Sequence, residues 1–193
     1  LEEEELAADE AWANRTIGEK VANSFVIGDS ITQGLYEHGV LEKARVTAEG
    51  NSGVCDTEET RIEGHIEKAV ETAPQVLFLS YGINDIVAST GHVSVFTDAY
   101  RDVLDRLKEE LPDTKICVNS ILPVQQSVID KNPLYGNISK YNQELEELCG
   151  ELDVLFIDNG SLVEDEYYTE DGIHMGSGYY EKWADHMAEE AEL

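Results

Sequence analysis

The sequence predicts an α/β protein built on a five-stranded parallel sheet, and three observations carry that expectation. Short apolar runs rich in β-branched residues recur five times along the chain. Stretches of helical period separate them. Polar breaks follow the first and third runs at their carboxyl ends. Strands alternating with helices imply a parallel sheet covered on both faces. The usual strand order for such a unit is 2-1-3-4-5, with ligands bound beyond the carboxyl ends of the first and third strands.

The first strand is Phe25-Val26-Ile27, which breaks at Gly28-Asp29-Ser30. The plainer reading of that break is a strand-to-helix turn with Asp29 or Ser30 as the N-cap. A short second strand is expected near 44–48, interrupted by Gly50-Asn51-Ser52-Gly53. Asp56-Thr57 then caps an expected helix that runs to about Thr72, with Ile62, Ile66, Ala69 and Val70 inward. Pro74 stops it, and Val76-Leu77-Phe78-Leu79 forms the third strand, ending in Ser80-Tyr81-Gly82-Ile83-Asn84-Asp85. A helix follows over 94–111 with Phe96, Tyr100, Val103, Leu104 and Leu107 inward, and Pro112 ends it. The fourth strand opens at Ile116-Cys117-Val118 and is expected to continue to Ile121-Leu122-Pro123, followed by a polar loop. Tyr141, Leu145 and Leu148 mark a helix ending at Gly150; Val154–Ile157 is the fifth strand; a last helix spans about Gly178 to Glu190.

At 193 residues the chain fits one domain with a core of its own. Residues 1–23 read as an acidic lead, a solvated helix or the end of a linker, and 24–193 as the domain. The net charge of −28 sets a field that repels nucleic acid and anionic membrane surfaces and mildly disfavours anionic substrates. No run approaches the roughly 20 apolar residues of a membrane span. Of the three cysteines, Cys117 and Cys149 read as small buried hydrophobes and Cys55 as a loop residue. Their spacing suggests neither a disulfide framework nor a zinc site. The start at Leu1 rather than Met suggests removal of something upstream. An extracellular or cell-surface bacterial location is the expectation, with a cytoplasmic one left open.

Three chemistries compete for the loops at the sheet edge. Gly28 to Gly34 has neither the spacing nor the lysine of a phosphate-binding P-loop. A phosphoacceptor domain could use Asp85, but strand five is followed by Asp158-Asn159-Gly160 where a lysine is needed. A serine hydrolase needs a nucleophile, a base, an orienting acid and oxyanion donors. Ser30 supplies the hydroxyl. Among five histidines, His38, His65 and His186 sit in or beside helical stretches and read as surface residues, and His92 as a possible cleft residue. His174 lies in Asp171-Gly172-Ile173-His174, where Asp171 can curl back to hold Nδ1 and leave Nε2 for Ser30. Asn84 offers a side-chain amide, otherwise read as an Asx turn in its own loop. The Ser30 N–H comes with the turn, and a third donor should come from Gly50–Asp56.

Together these segments resemble the SGNH, or GDSL-like, hydrolase superfamily. Gly28-Asp29-Ser30-Ile31-Thr32-Gln33-Gly34 matches its first block, Gly82-Ile83-Asn84-Asp85 its third and Asp171-Gly172-Ile173-His174 its fifth, in order over nearly the whole domain. The resemblance implies a flavodoxin-like three-layer α/β/α sandwich and a catalytic set of Ser30, His174 and Asp171. It implies an oxyanion hole from the Ser30 amide, a second-block glycine amide and Asn84, and no cofactor. The second block departs from the family pattern: Asn51-Ser52-Gly53-Val54-Cys55-Asp56-Thr57 is one residue shorter and lacks the second glycine. Gly53 is the first choice for the donor there, with Gly50 and the Cys55 amide behind it. The expected activity is carboxylic ester hydrolysis through an acyl-enzyme on a small-molecule or carbohydrate ester. A short acyl group such as acetyl on a sugar is preferred, because no lid-like apolar helix stands out. The alternatives are a lysophospholipase- or thioesterase-type acylhydrolase, and a non-catalytic carbohydrate-binding or cell-surface module. The oligomeric state is left open.

Overall fold

Strand β1, Ser24–Gly28, is buried along its whole length, because it lies between two other strands with helices on both faces. The computed structural model describes residues 11, 14–55 and 61–193. Its sheet has the order β2-β1-β3-β4-β5, with β2 at Val46–Ala48, β3 at Val76–Ser80, β4 at Lys115–Asn119 and β5 at Leu155–Ile157. Every pairing is parallel. Ser24 to Gly28 pairs with Val76 to Ser80 in unbroken register, so the residues that follow Gly28 and Ser80 emerge side by side.

The helices bounded among the described residues are α1 Ile17–Lys20, α2 Ser30–Glu37, α3 Arg61–Thr72, α4 Ile83–Ala88, α5 Val93–Glu110, α6 Gln126–Lys131, α7 Ile138–Glu151 and α8 Ser177–Glu190. Helices α1 and α2 pack with α8, whereas α5 packs with α3 and α7. The two groups cover opposite faces of the sheet, which gives the three-layer α/β/α sandwich. The inward residues expected for α5 (Phe96, Tyr100, Val103, Leu104 and Leu107) and for α7 (Tyr141, Leu145 and Leu148) are all buried. Cys117 and Cys149 are buried free thiols, and desolvation pushes both up to about 12. Such thiols act as apolar filling.

Most of the acidic lead, and the expected Asp56-Thr57 cap, lie outside the described residues. Nearer the sheet, Thr16 and Glu19 form a capping box for α1. Lys20 then pairs with Asp185 of α8 at 2.6 Å, and Val21 enters the core.

Two expectations change at the carboxyl edge. The fourth strand stops at Asn119 instead of running on to Pro123. Asn119 is fully buried, donates to the Leu79 carbonyl and accepts from Asn159 Nδ2 at 2.9 Å and Trp183 Nε1 at 3.1 Å. Beyond it, the Asn142 side chain bonds both the N–H and the carbonyl of Ile121, at 2.7 and 2.8 Å, doing the work of a neighbouring strand. The expected polar loop contains α6 and a 3-10 turn over Pro133–Asn137. The second change is His65, which is buried and not on the surface: it shares a 2.6 Å hydrogen bond through Nδ1 with the Tyr81 hydroxyl.

Candidate active site

The end of β1 turns directly into α2, and Asp29 makes that turn. Its backbone is extended (φ −96°, ψ −161°), and its Oδ1 accepts the Ile31 N–H at 3.0 Å. Asp29 is therefore the N-cap, and Ser30 is the first helical residue. Ser30 is free of the capping role that it could have shared, so its hydroxyl is available for other work. Asp29 is almost completely buried. Desolvation pushes its carboxyl up to about 7; the Asp85 charge adds to this, while the Ile31 and Thr32 N–H groups and His174 oppose it.

The partner of Ser30 comes from the segment before α8. Residues 169–174 form a closed turn: the Thr169 N–H donates to the His174 carbonyl at 2.8 Å, and the Gly172 N–H to the Thr169 carbonyl at 3.0 Å. An antiparallel bridge, Tyr168 to Met175, extends it. The Gln125 N–H donates to the Gly172 carbonyl at 2.9 Å, and the Tyr168 hydroxyl to the Pro123 carbonyl at 2.7 Å, tying the turn to the loop after β4.

Within this turn Asp171 is held from several directions. Its Oδ1 accepts from the Ile173 N–H at 2.8 Å, the His174 N–H at 2.9 Å and the Thr169 hydroxyl at 3.0 Å. Its Oδ2 lies 2.6 Å from His174 Nδ1. Burial pushes this carboxyl up, but the hydrogen bonds from Ile173, His174 and Thr169 outweigh it and hold the group well below the usual carboxylate range. An ionised carboxylate only accepts hydrogen bonds, so Nδ1 must carry the proton. The lone pair of Nε2 then faces Ser30, whose Oγ is 2.8 Å away. The arrangement can pass a proton from a serine hydroxyl to an imidazole steadied by a carboxylate, as activation of a serine nucleophile requires.

The neighbouring strand end supplies amide groups. Gly82, which follows Ser80-Tyr81, has φ +142°, and a Cβ there would lie 2.3 Å from the Ile121 side chain, so only glycine fits this turn. It leads into α4 and places Asn84 at the carboxyl edge beside the end of β1. Asn84 does not close an Asx turn in its own loop. Its Nδ2 reaches across to the Ser52 carbonyl at 2.8 Å, which leaves its second amide hydrogen for another acceptor.

Of the three donors considered after β2, the Cys55 N–H is engaged by Asp85 Oδ1 at 2.7 Å. Gly50 is exposed, with its carbonyl taken by Arg61 at 3.2 Å. Gly53 is buried against the Asp85 carboxylate, next to Asn84. Cys55 itself is half-buried, and desolvation, together with Asp85, pushes its thiol far above the ordinary range.

The other histidines stay apart from this set. His38 is exposed and stacks on Tyr180 with centroids 4.8 Å apart, and His186 Nε2 bonds the Asp158 carbonyl at 3.1 Å. His92 turns to the Thr90 hydroxyl and the Ser89 carbonyl. Sequence reasoning overlooked Asp85 as a partner of the second loop and His65 as a core residue. The latter had a signal: His65 shares a helical face with Ile62, Ile66 and Ala69, all inward at the expected spacing. Among the described residues no cluster of His, Cys, Asp and Glu could hold a metal ion, and no helix is long and apolar enough to cross a membrane.

Comparison with known proteins adds three findings. The pattern of the GDSL-like lipase/acylhydrolase family matches residues 26–182. A multidomain esterase of Ruminococcus flavefaciens is 27% identical over 124 residues, covering 62% of this chain and 16% of that protein, so the chain corresponds to a small part of its relative. Among solved structures, a GDSL-like lipase from Bacteroides thetaiotaomicron superposes with a TM-score of 0.69 at 18% identity over 97% of both chains. An acetylxylan esterase mutant from Geobacillus stearothermophilus superposes with a TM-score of 0.66 at 16% identity, over 88% of this chain and 93% of the other. A carbohydrate esterase of family 3 from Talaromyces cellulolyticus gives 0.66 at 14% identity, over 88% and 95%.

Proposed function

This chain belongs to the GDSL-like lipase/acylhydrolase family, and on that premise we propose that it is a serine esterase using Ser30, His174 and Asp171. The observation that carries the reading is the continuous line of hydrogen bonds from Asp171 Oδ2 through His174 to Ser30 Oγ, at 2.6 and 2.8 Å. His174 Nε2 takes the Ser30 proton as Oγ bonds to the ester carbonyl carbon. The carbonyl oxygen becomes an oxyanion, met by the Ser30 N–H and the free amide hydrogen of Asn84; the expected Gly53 N–H lies at the opposite edge of the trans peptide whose Ser52 carbonyl faces Asn84, and so points away from Asn84. Collapse of this intermediate breaks the bond to the alcohol oxygen, which leaves with the proton from His174. Water then gives a proton to His174 and attacks the acyl-enzyme, and Ser30 recovers its proton as the acid departs.

The substrate we propose is a short acyl ester, such as acetyl on a carbohydrate. The esterase relative from Ruminococcus and the acetylxylan esterase among the similar folds support this choice. So does the charge of −28, which favours neutral polysaccharide esters over anionic lipids.

The test is labelling by a fluorophosphonate together with turnover of esters of graded acyl length and of acetylated sugars. Wild type should label at Ser30 and turn over the short esters, and Ser30→Ala should do neither. Equal activity in both proteins, or none in either, would sink the reading. A preference for long acyl chains would move the substrate to the lysophospholipase class.

A further inference from the structure

The line of hydrogen bonds from Asp171 to Ser30 joins two segments that share no strand or helix, so their separation must be fixed from elsewhere. Ser30 follows β1, where the Asp29 N–H donates to the Ser80 carbonyl at 3.3 Å and fastens the end of β1 to the end of β3. Gly82 follows β3, and the Ile121 side chain fills the space where any other residue would place its Cβ. The backbone of Ile121 is pinned in turn by Asn142 of α7, at both its N–H and its carbonyl. The loop after β4 therefore starts from a fixed point beside the strand ends that carry Ser30 and Asn84.

Two residues further on, the Pro123 carbonyl accepts the Tyr168 hydroxyl at 2.7 Å. Tyr168 lies opposite Met175 in an antiparallel bridge. The bridge is flanked by the bond from the Thr169 N–H to the His174 carbonyl at 2.8 Å and by that from the Gly176 N–H to the Tyr167 carbonyl at 2.6 Å. Side chains alternate along such a ladder. Met175 is buried in the core and Tyr168 packs against the core, which turns the adjoining His174 outward to Ser30. Burial, with Asp165 nearby, pushes the Tyr168 hydroxyl above the ordinary tyrosine range, so it stays protonated and able to donate. The other tether, from the Gln125 N–H to the Gly172 carbonyl at 2.9 Å, is made by backbone alone. Tyr168 makes its own with a side chain.

Resting on the reading of Ser30 and His174 as nucleophile and base, we propose that Tyr168 is a positioning residue for the reaction: its bond to the Pro123 carbonyl sets the distance at which His174 Nε2 meets Ser30 Oγ. Tyr168 touches no reacting atom. The internal bonds of the turn hold Asp171 on His174, but they leave the turn free to shift as a body against β1. The Tyr168 hydroxyl removes that freedom. It fastens the turn to the loop after β4, and Ile121 fastens that loop to the sheet edge from which Ser30 emerges. Proton transfer across 2.8 Å is sensitive to such a shift, because a misplacement of about 1 Å costs on the order of 100-fold in rate.

The experiment compares wild type with Tyr168→Phe by kcat and KM on a short-chain ester, by the rate at which a fluorophosphonate labels Ser30, and by a thermal melt. Phenylalanine keeps the ring against the core and removes only the bond to Pro123. With the Gln125 tether still in place, kcat and the labelling rate should both fall about tenfold, part of the loss that a misplacement of about 1 Å brings, with KM little changed. Both rates depend on His174 taking the Ser30 proton, so they should fall together. A merely structural hydroxyl would lower the melting temperature and leave both rates of the folded protein as they were. Wild-type rates in the variant, a loss confined to KM, a fall in kcat without one in labelling, or a variant unfolded at the assay temperature would each overturn the proposal. A wild type that neither turns over esters nor labels at Ser30 overturns the active-site reading, and the proposal with it.

Discussion

Ser30 and His174 stand 144 positions apart in the chain, yet Oγ and Nε2 meet at 2.8 Å. The contact depends on the cap being the preceding residue. Asp29 satisfies the first turn of α2, so Ser30 can face the imidazole without loosening the helix. Replacing Ser30 with alanine should therefore lower kcat by about 10⁴-fold or more while leaving the melting temperature close to that of wild type. Ester kinetics and a thermal melt on the same preparation check both halves.

In the proposed mechanism Asn84 has two tasks, one amide hydrogen on the Ser52 carbonyl and the other offered to the oxyanion. Asn84→Ala removes both and should cost about 10²–10³ in kcat. Asn84→Asp has no amide hydrogens to offer and should lose as much. Steady-state kinetics, with KM reported separately, decides the point.

The buried Asp29 carboxyl gives the fold a dependence on pH with a defined sign. Desolvation, reinforced by Asp85 and opposed by the Ile31 and Thr32 N–H groups and by His174, raises it to about 7. The folded chain thus holds this proton more tightly than the unfolded chain does. The stability it confers is full below the ordinary carboxylate range near 4 and is lost as pH rises through about 7, a swing on the order of 4 kcal/mol. Asp29→Asn keeps an oxygen for the Ile31 N–H and cannot ionise. Urea titrations from pH 4 to 8 should show its stability falling less with pH than that of wild type, and parallel curves would count against the assignment.

The Tyr81 hydroxyl meets His65 Nδ1 at 2.6 Å inside the core, where the rings also stack 6.0 Å apart. Tyr81→Phe leaves the packing and removes this bond, which should cost roughly 1–3 kcal/mol. Urea unfolding at fixed pH measures it.

The sheet was legible because its signal is local and repeated. Short apolar runs alternating with helical stretches point to a covered parallel sheet, and the register of β1 with β3 brings Gly28-Asp29-Ser30 beside Gly82-Ile83-Asn84-Asp85. The pairing of Asp171 with His174 was legible for the same reason, being a contact three residues apart in one turn. Contacts across the fold were not. Nothing near Ile121 in sequence says that Asn142 supplies its backbone partners, and so the apolar run to Pro123 reads as strand. Nothing near Cys55 says that its N–H belongs to Asp85. Charged neighbours mask the place of His65 on the inward face of its helix.

The turn over residues 169–174 closes on itself: Thr169 bonds His174, and Asp171 bonds Ile173, His174 and Thr169. Asp171 and His174 consequently travel as one cassette, closed by its own hydrogen bonds and tied to the loop after β4 at Gln125 and Pro123. Substitutions on the loop after β4 that spare the Gln125 and Pro123 tethers should therefore leave the distance from Asp171 to His174 unchanged. A designer seeking a new ester specificity should leave the cassette and its two tethers intact.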